Sequence, residues 1–284
     1  MATDERGSLF TWPEWDLLNG QHHLLAEATN LAREHSDPDR SLVYPLLDAA
    51  SDSTTTLRRL IRALRVSDGY VIARVVYETC VNASFILTDP QKLARRAQRH
   101  AKQKALRDLE RSIELAGRKV VSLRWEGSDE VLADPENQEL LREFTSRSGR
   151  EITAWTPENV RQRLEVIQRH FGEDTVRGLA FGLLLYRHAS EIAHGTLYGA
   201  LFSWGAMEPG GPPRSTEQMR SFRVEQTRLL LLLIGHTLES VNRILGQELG
   251  DPTLSMRATE VLSAYSARPR PRSEGHKTAG WRES

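Results

Sequence analysis

Three side chains between Thr175 and Ser203 have the types and spacing for acid–base chemistry on a phosphodiester: Arg187, Glu191 four residues later, and His194 three after that. At about 100° per residue they share one helical stripe with Leu183, Leu184, Tyr198 and Leu201, so polar groups interrupt an apolar surface. Ser190 and Tyr186 flank the stripe, and Gly195 permits close backbone approach. An imidazole titrating near neutrality can take the proton of a ribose 2′-hydroxyl or protonate the leaving oxygen. A guanidinium can hold the charge that gathers on the phosphoryl oxygens. Attack by the adjacent 2′-hydroxyl needs no metal. Arg187 and His194 are the candidate catalytic pair, with Glu191, Ser190 and Tyr186 in support.

A second set lies in the segment Tyr70 to Leu87, which has no plain solvent face. Ile72, Val75, Val76, Cys80, Ala83 and Leu87 make one apolar stripe, while Val71, Val81 and Phe85 share the opposite side with Arg74 and Glu78. A helix apolar all round is central, and a charge inside it must be paired. Arg74 and Glu78, four apart, can pair with each other and support the Arg187/His194 site. The structural alternative for both sets is a buried Arg–Glu pair, with a hydrogen-bonded histidine, that fixes helix register. Glu191-Ile192-Ala193-His194 also has the Glu-x-x-His spacing of di-iron bundles, but no second such unit exists to complete a ligand set. No metal and no cofactor are therefore expected. From Lys92 to Arg111 eight cations flank an apolar seam, and Arg95, Arg96, Arg99 and Lys102 are candidate contacts to nucleic-acid phosphates; the alternative is a solvated face with local ion pairs.

Arg187-His188-Ala189-Ser190-Glu191-Ile192-Ala193-His194 resembles the motif of the HEPN superfamily: Arg, a polar residue, a short spacer, then His. Many HEPN proteins are all-helical ribonucleases of prokaryotic toxin–antitoxin and phage-defence systems. The resemblance implies that Arg187 and His194 pair near a dimer interface as a ribonuclease centre, with His188 in the polar position. Arg95/His100, Arg163/His170 and Arg270/His276 also satisfy the spacing, and only the context of an otherwise apolar stripe selects Arg187/His194. A wider pattern is similar to a family of uncharacterised bacterial helical proteins, domain of unknown function family 5677. It is carried by Arg74-Val75-Val76-Tyr77-Glu78, Ile86-Leu87-Thr88-Asp89-Pro90, Tyr186, Ser190 and His194-Gly195. That resemblance implies a fold and a grouping of residues rather than an activity. The expected function is a HEPN-like helical protein acting on RNA, as a metal-independent ribonuclease or an RNA-binding protein in prokaryotic defence or stress response. The alternative is a non-catalytic helical scaffold with structural ion pairs. RNA and a second copy of the chain are the expected partners.

Helices must position these residues, because the periodicity is helical nearly everywhere. The reading gives helices over 13–35, from Ser41 (as cap) to Val66 with a bend near Tyr44-Pro45, and over Tyr70–Leu87 after a stop at Ser67-Asp68-Gly69. Gln91–Ala116 follows, ended by Gly117; Val120 to Trp125 reads as a short strand or a helical extension. Further helices start at Thr156-Pro157-Glu158, run unbroken over Thr175–Ser203, and cover Ser215–Leu249 and Pro252–Tyr265, with a loop at Glu208–Arg214. The fold class is all-α: one bundle-like domain over 1–266, of roughly seven or eight helices with its core over about 40–250, then a disordered Arg/Pro tail over 267–284. Lys+Arg and Asp+Glu both total 38, which excludes a globally basic nucleic-acid coat. Thirty-three of the cations are Arg, the better residue for buried pairs and phosphate. One cysteine, Cys80, excludes a disulfide framework. No signal peptide is visible, and the apolar run Leu229–Ile234, read as core or dimer contact, is far shorter than a membrane span. A cytoplasmic location without membrane association is expected.

Overall fold

A computed structural model describes residues 11–35, 38–203 and 215–268. The all-α class holds: among the described residues the chain is mainly helical, with one two-stranded hairpin. The helices are α1 (Pro13–His35), α2 (Tyr44–Arg62), α3 (Val66–Leu87), α4 (Pro90–Asp108), α5 (Ser128–Ala133), α6 (Pro135–Glu143), α7 (Val160–Phe171), α8 (Glu173–Phe181), α9 (Leu183–Ala193), α10 (Leu197–Ser203), α11 (Thr216–Leu249) and α12 (Pro252–Ser266). β1 (Glu110–Leu115) and β2 (Arg118–Arg124) lie between α4 and α5. The expected tail beyond Arg268, the loop at 208–214 and the extreme N-terminus fall outside the described residues.

Two helices form the centre. α3 touches α2, α4, α7, α9 and α11, and α11 touches α1, α3, α8, α9 and α12. Both are long and apolar enough to cross a membrane, yet 61% and 78% of their most apolar windows are buried against other helices. Leu230, Leu231, Leu233 and Ile234 of the apolar run are buried in the core, while Leu229 at its start is exposed. Ser215 and Gln218 form a reciprocal capping box at the start of α11, and Gly250 ends it in the left-handed region. Polar contacts tie α11 to its neighbours. Asn242 donates to the Gln21 carbonyl and side-chain oxygens at 2.9 Å, and Arg228 pairs with Glu14 at 2.8 Å. Trp15 is buried, with Arg58 and Arg62 guanidiniums 5.5 and 5.1 Å from its ring centre.

Several expected boundaries are corrected. Ser67-Asp68-Gly69 begins α3 instead of ending α2; the chain turns at Ala63–Arg65, where Leu64 takes φ 51°. Ser41 caps nothing: its hydroxyl donates to the Pro38 carbonyl at 2.7 Å, within a short 3-10 turn, Arg40–Val43, that precedes α2. α4 stops at Asp108 rather than Ala116, because β-branched Ile113, Val120 and Val121 favour extended backbone and Ala116-Gly117 take φ 50° and 75° as a tight hairpin turn. α5 and α6 were not foreseen in 128–143, and a small satellite core of Leu106, Leu140 and Phe144 holds them to α4. Asn159, in a capping box with Gln162, starts α7 after the expected Thr156-Pro157-Glu158.

The expected continuous helix over Thr175–Ser203 is instead three. α8 crosses α11 so closely that a Cβ on Gly178 would overlap the His236 carbonyl. Gly182 separates α8 from α9 where the Tyr77 ring leaves no room for a side chain. Gly195, at φ 62°, separates α9 from α10. Gly178→Ala is therefore expected to destabilise the fold by about 2 kcal/mol or more, measured by urea denaturation, because backbone cannot yield as a side chain can.

Candidate functional site

α3 carries Arg74 and Glu78 one turn apart, and the outcome is a half-buried pair with Arg74 Nε donating to Glu78 Oε1 at 2.9 Å. α9 closes over it. Arg74 Nη2 donates to the Tyr186 hydroxyl at 3.3 Å, and the guanidinium lies 4.7 Å from that ring's centre. Burial alone would lower the Arg74 pKa, but Glu78 and Tyr186 outweigh it and hold the guanidinium above its ordinary value. Burial and the Glu78 carboxylate push the Tyr186 phenol up, against the pull of Arg74. Val75, expected in the apolar stripe, is exposed at the rim.

α7 adds a second guanidinium that sequence reasoning did not single out. Arg163 donates from Nη1 to Asn82 Oδ1 and from Nε to the Glu158 carbonyl at 2.9 Å, with its carbon 5.7 Å from the Trp155 ring centre. Burial pulls it below the ordinary arginine value, while Glu78, Tyr186 and Glu158 oppose that fall. Glu78 therefore sits in the field of two arginines. Beneath them Tyr77 is fully buried, its ring edge-on to Tyr186 with centroids 6.4 Å apart, and its hydroxyl has no partner among the described residues. The available signal was the tyrosine next to Glu78 and Gly182 in an apolar helix, which together mark a close crossing.

Arg187 and His194 do not join this cluster. Of the stripe that carries them, Leu184, Arg187 and His194 are exposed, while Leu183, Glu191, Tyr198 and Leu201 are half-buried. The two lie on one face of α9, seven residues and about 10 Å of helix rise apart. Arg187 has its guanidinium carbon 5.9 Å from the Tyr198 ring centre; neither it nor His194 forms an ion pair among the described residues. Glu191 is used locally, its Oε2 accepting from the Thr196 hydroxyl at 2.7 Å across the Gly195 corner. Ser190 is half-buried, and its carbonyl accepts from the His194 amide at 3.0 Å. His188 stacks on Phe202 with centroids 4.8 Å apart, and its Nδ1 shares a 3.0 Å hydrogen bond with the Tyr198 hydroxyl. Burial, then the Arg187 charge, lowers its pKa. Tyr186 thus belongs with Arg74 and Glu78, while Arg187, His188 and Tyr198 form a separate group and His194 is exposed apart from them.

The cations of α4 are engaged within the chain. Arg96 donates to the Trp155 carbonyl at 2.8 Å, Arg99 pairs with Glu143 at 2.5 Å, Lys102 with Glu136 at 3.1 Å, and Arg95 lies 3.9 Å from Asp39. Asp89, in the Ile86–Pro90 stretch, caps α4 by accepting from the Lys92 amide. Beside it a cleft of about 370 Å³ is lined by Phe85, Lys92, Glu158 and Arg169, among others. No three His, Cys, Asp or Glu side chains gather as a metal-binding group among the described residues. Cys80 is fully buried, and burial pushes its thiol up to about 12.

A helical protein built on two central helices, with a paired guanidinium–carboxylate–phenol cluster at the crossing of α3, α7 and α9, is thus defined by its geometry. Residues 41–210, more than half of the chain, match a family of unknown function, DUF5677, and the chain belongs to that family. No curated protein and no solved structure matches it.

Removing the Glu78 carboxylate leaves two guanidiniums without their counter-charge. Glu78→Ala is expected to cost about 1–2 kcal/mol by denaturant melts, and Arg74→Met with Glu78→Ala less than the sum of the single changes. Cys80 should not release thionitrobenzoate from the disulfide reagent DTNB in the folded protein at mildly alkaline pH. Its thiol stays protonated and enclosed there, whereas denaturant should expose it to full reaction.

Proposed function

We propose that this chain acts on RNA as a HEPN-like helical protein, cleaving a phosphodiester without a metal through Arg187 and His194. The observation that carries the reading is the outward-facing pair itself. A guanidinium on α9 and the imidazole of its C-terminal cap, His194, are both exposed, neither is neutralised by a carboxylate among the described residues, and apolar Leu184 is exposed one turn before Arg187. His194, at the end of α9, takes the 2′-hydroxyl proton or supplies one to the leaving oxygen. Arg187, steadied on the Tyr198 ring, neutralises the phosphoryl oxygens. Tyr186, Arg74 and Glu78 act at a distance, fixing α9 against α3 so that its outer face is rigid. Glu191 and Ser190 shape the corner that presents His194. Arg95, Arg96, Arg99 and Lys102 offer secondary phosphate contacts by exchanging their own carboxylate partners. The Arg-x6-His spacing supports a role in prokaryotic defence or stress response, and the reading places the protein in the cytoplasm.

A second reading, a non-catalytic scaffold, is favoured by the Arg74–Glu78–Tyr186 and Arg163–Asn82 contacts, which leave each half-buried guanidinium partnered. Incubation of the purified chain with structured and single-stranded RNAs in the presence of EDTA separates the two. The expected result is cleavage leaving 2′,3′-cyclic phosphate ends, lowered at least about a hundredfold by His194→Ala and by Arg187→Ala with unchanged helicity. Inert wild-type protein, or variants that cleave as well as it does, would overturn the catalytic reading and leave the scaffold.

A further inference from the structure

The β1–β2 hairpin stands away from the helices with every residue of both strands exposed. Its two faces differ in chemistry. On one, Glu110 lies opposite Arg124, Ser112 opposite Ser122, and Glu114 opposite Lys119, a surface finished for water. On the other, Ile113 lies opposite Val121, Leu115 opposite Arg118 and Leu123 opposite Arg111, and Trp125 extends the apolar row where its amide donates to the Leu109 carbonyl at 3.0 Å. Exposures of 53% for Ile113, 63% for Leu115, 61% for Leu123 and 67% for Trp125 leave this face bare. An alternating strand pattern places apolar residues where they will be covered, and an isolated two-stranded ribbon is marginal in water.

We propose that a second copy of this chain covers the face, two hairpins stacking through their apolar sides about a two-fold axis. Charge placement argues for that occupant. On this face the hairpin tip carries Arg118, opposite Leu115, and the base leads into Glu126 and Glu130, all three exposed and without an ion pair among the described residues. A two-fold axis across the strands lays each tip over the partner's base, so cations meet carboxylates at both ends while Ile113 and Val121 pack at the centre. Area agrees: Ile113, Leu115, Val121, Leu123 and Trp125 together expose roughly 600 Å² per chain. The pairing therefore buries about 1,200 Å², the lower bound of a specific interface. Leu109, half-buried on the satellite core of Leu106, Leu140 and Phe144, fixes the ribbon to α4 and limits the entropy that association costs. The surface lies apart from α9 and stands independently of the ribonuclease reading.

Sedimentation of the full chain over a concentration series tests this. The wild type should form a dimer, and Leu115→Glu with Leu123→Glu should leave a monomer with unchanged helical circular dichroism. Arg118→Glu should weaken the dimer about fivefold, and adding Glu126→Lys with Glu130→Lys should restore most of that loss. These surface charges lie outside both hydrophobic clusters, so the swap remains informative if the leucine variant misfolds. A wild type that stays monomeric, a dimer indifferent to the hairpin changes, or a swap without recovery would overturn the proposal. Monomeric protein that pellets with phosphatidylglycerol vesicles through the same residues would overturn it too, in favour of a membrane surface.

Discussion

A charge placed in a central helix must be neutralised where it lies, and the Arg74–Glu78 pair sets the terms for everything around it. α3 cannot be covered there by plain aliphatic side chains. α9 answers with Tyr186, whose ring takes the guanidinium face and whose hydroxyl accepts from it. α7 approaches with Arg163 held off by Asn82 and the Glu158 carbonyl, so that two cations coexist beside one carboxylate. The close seat of α9 requires Gly182 over the Tyr77 ring, and this glycine separates α8 from α9. One ion pair thus dictates a helix break a hundred residues away in sequence.

The outer face of α9 follows from that inner contact. With Tyr186 turned inward, Arg187 and His194 are turned out by helical geometry alone. The same helix therefore holds a satisfied polar cluster on one side and an unsatisfied one on the other. On α9 the residue that joins the Arg74–Glu78 cluster, Tyr186, and the exposed Arg187 are adjacent in the chain.

The helical class, the α11 limits and the Arg74–Glu78 pairing were legible because period, caps and charge cost all act locally. Two things were not. The stripe bearing Leu184, Arg187 and His194 has the pattern of a core face, and periodicity reports which residues share a side, not whether that side is covered. Of the hairpin, the strand alternative for Val120–Trp125 is met by β2, while β1 was hidden because Glu110–Leu115 continues the charge-rich pattern of α4. The place of Arg163 in the cluster could not be read, since its partners Asn82 and Trp155 come from distant segments, a relation no local pattern carries.

The bonds between α1 and α11 carry a different consequence. Asn242 reaches Gln21 across 221 residues, and Arg228 reaches Glu14 across 214. α1 precedes α11 in synthesis, so its polar side chains wait for α11 before they find these partners, and its leucines Leu17, Leu18 and Leu25 face the same delay. The family segment, residues 41–210, contains neither α1 nor α11, whose buried Leu18, Leu25, Leu231 and Leu238 belong to the same core cluster as its own Tyr70 and Tyr77. The middle of the chain therefore closes its core only when two helices far apart in sequence lock across it.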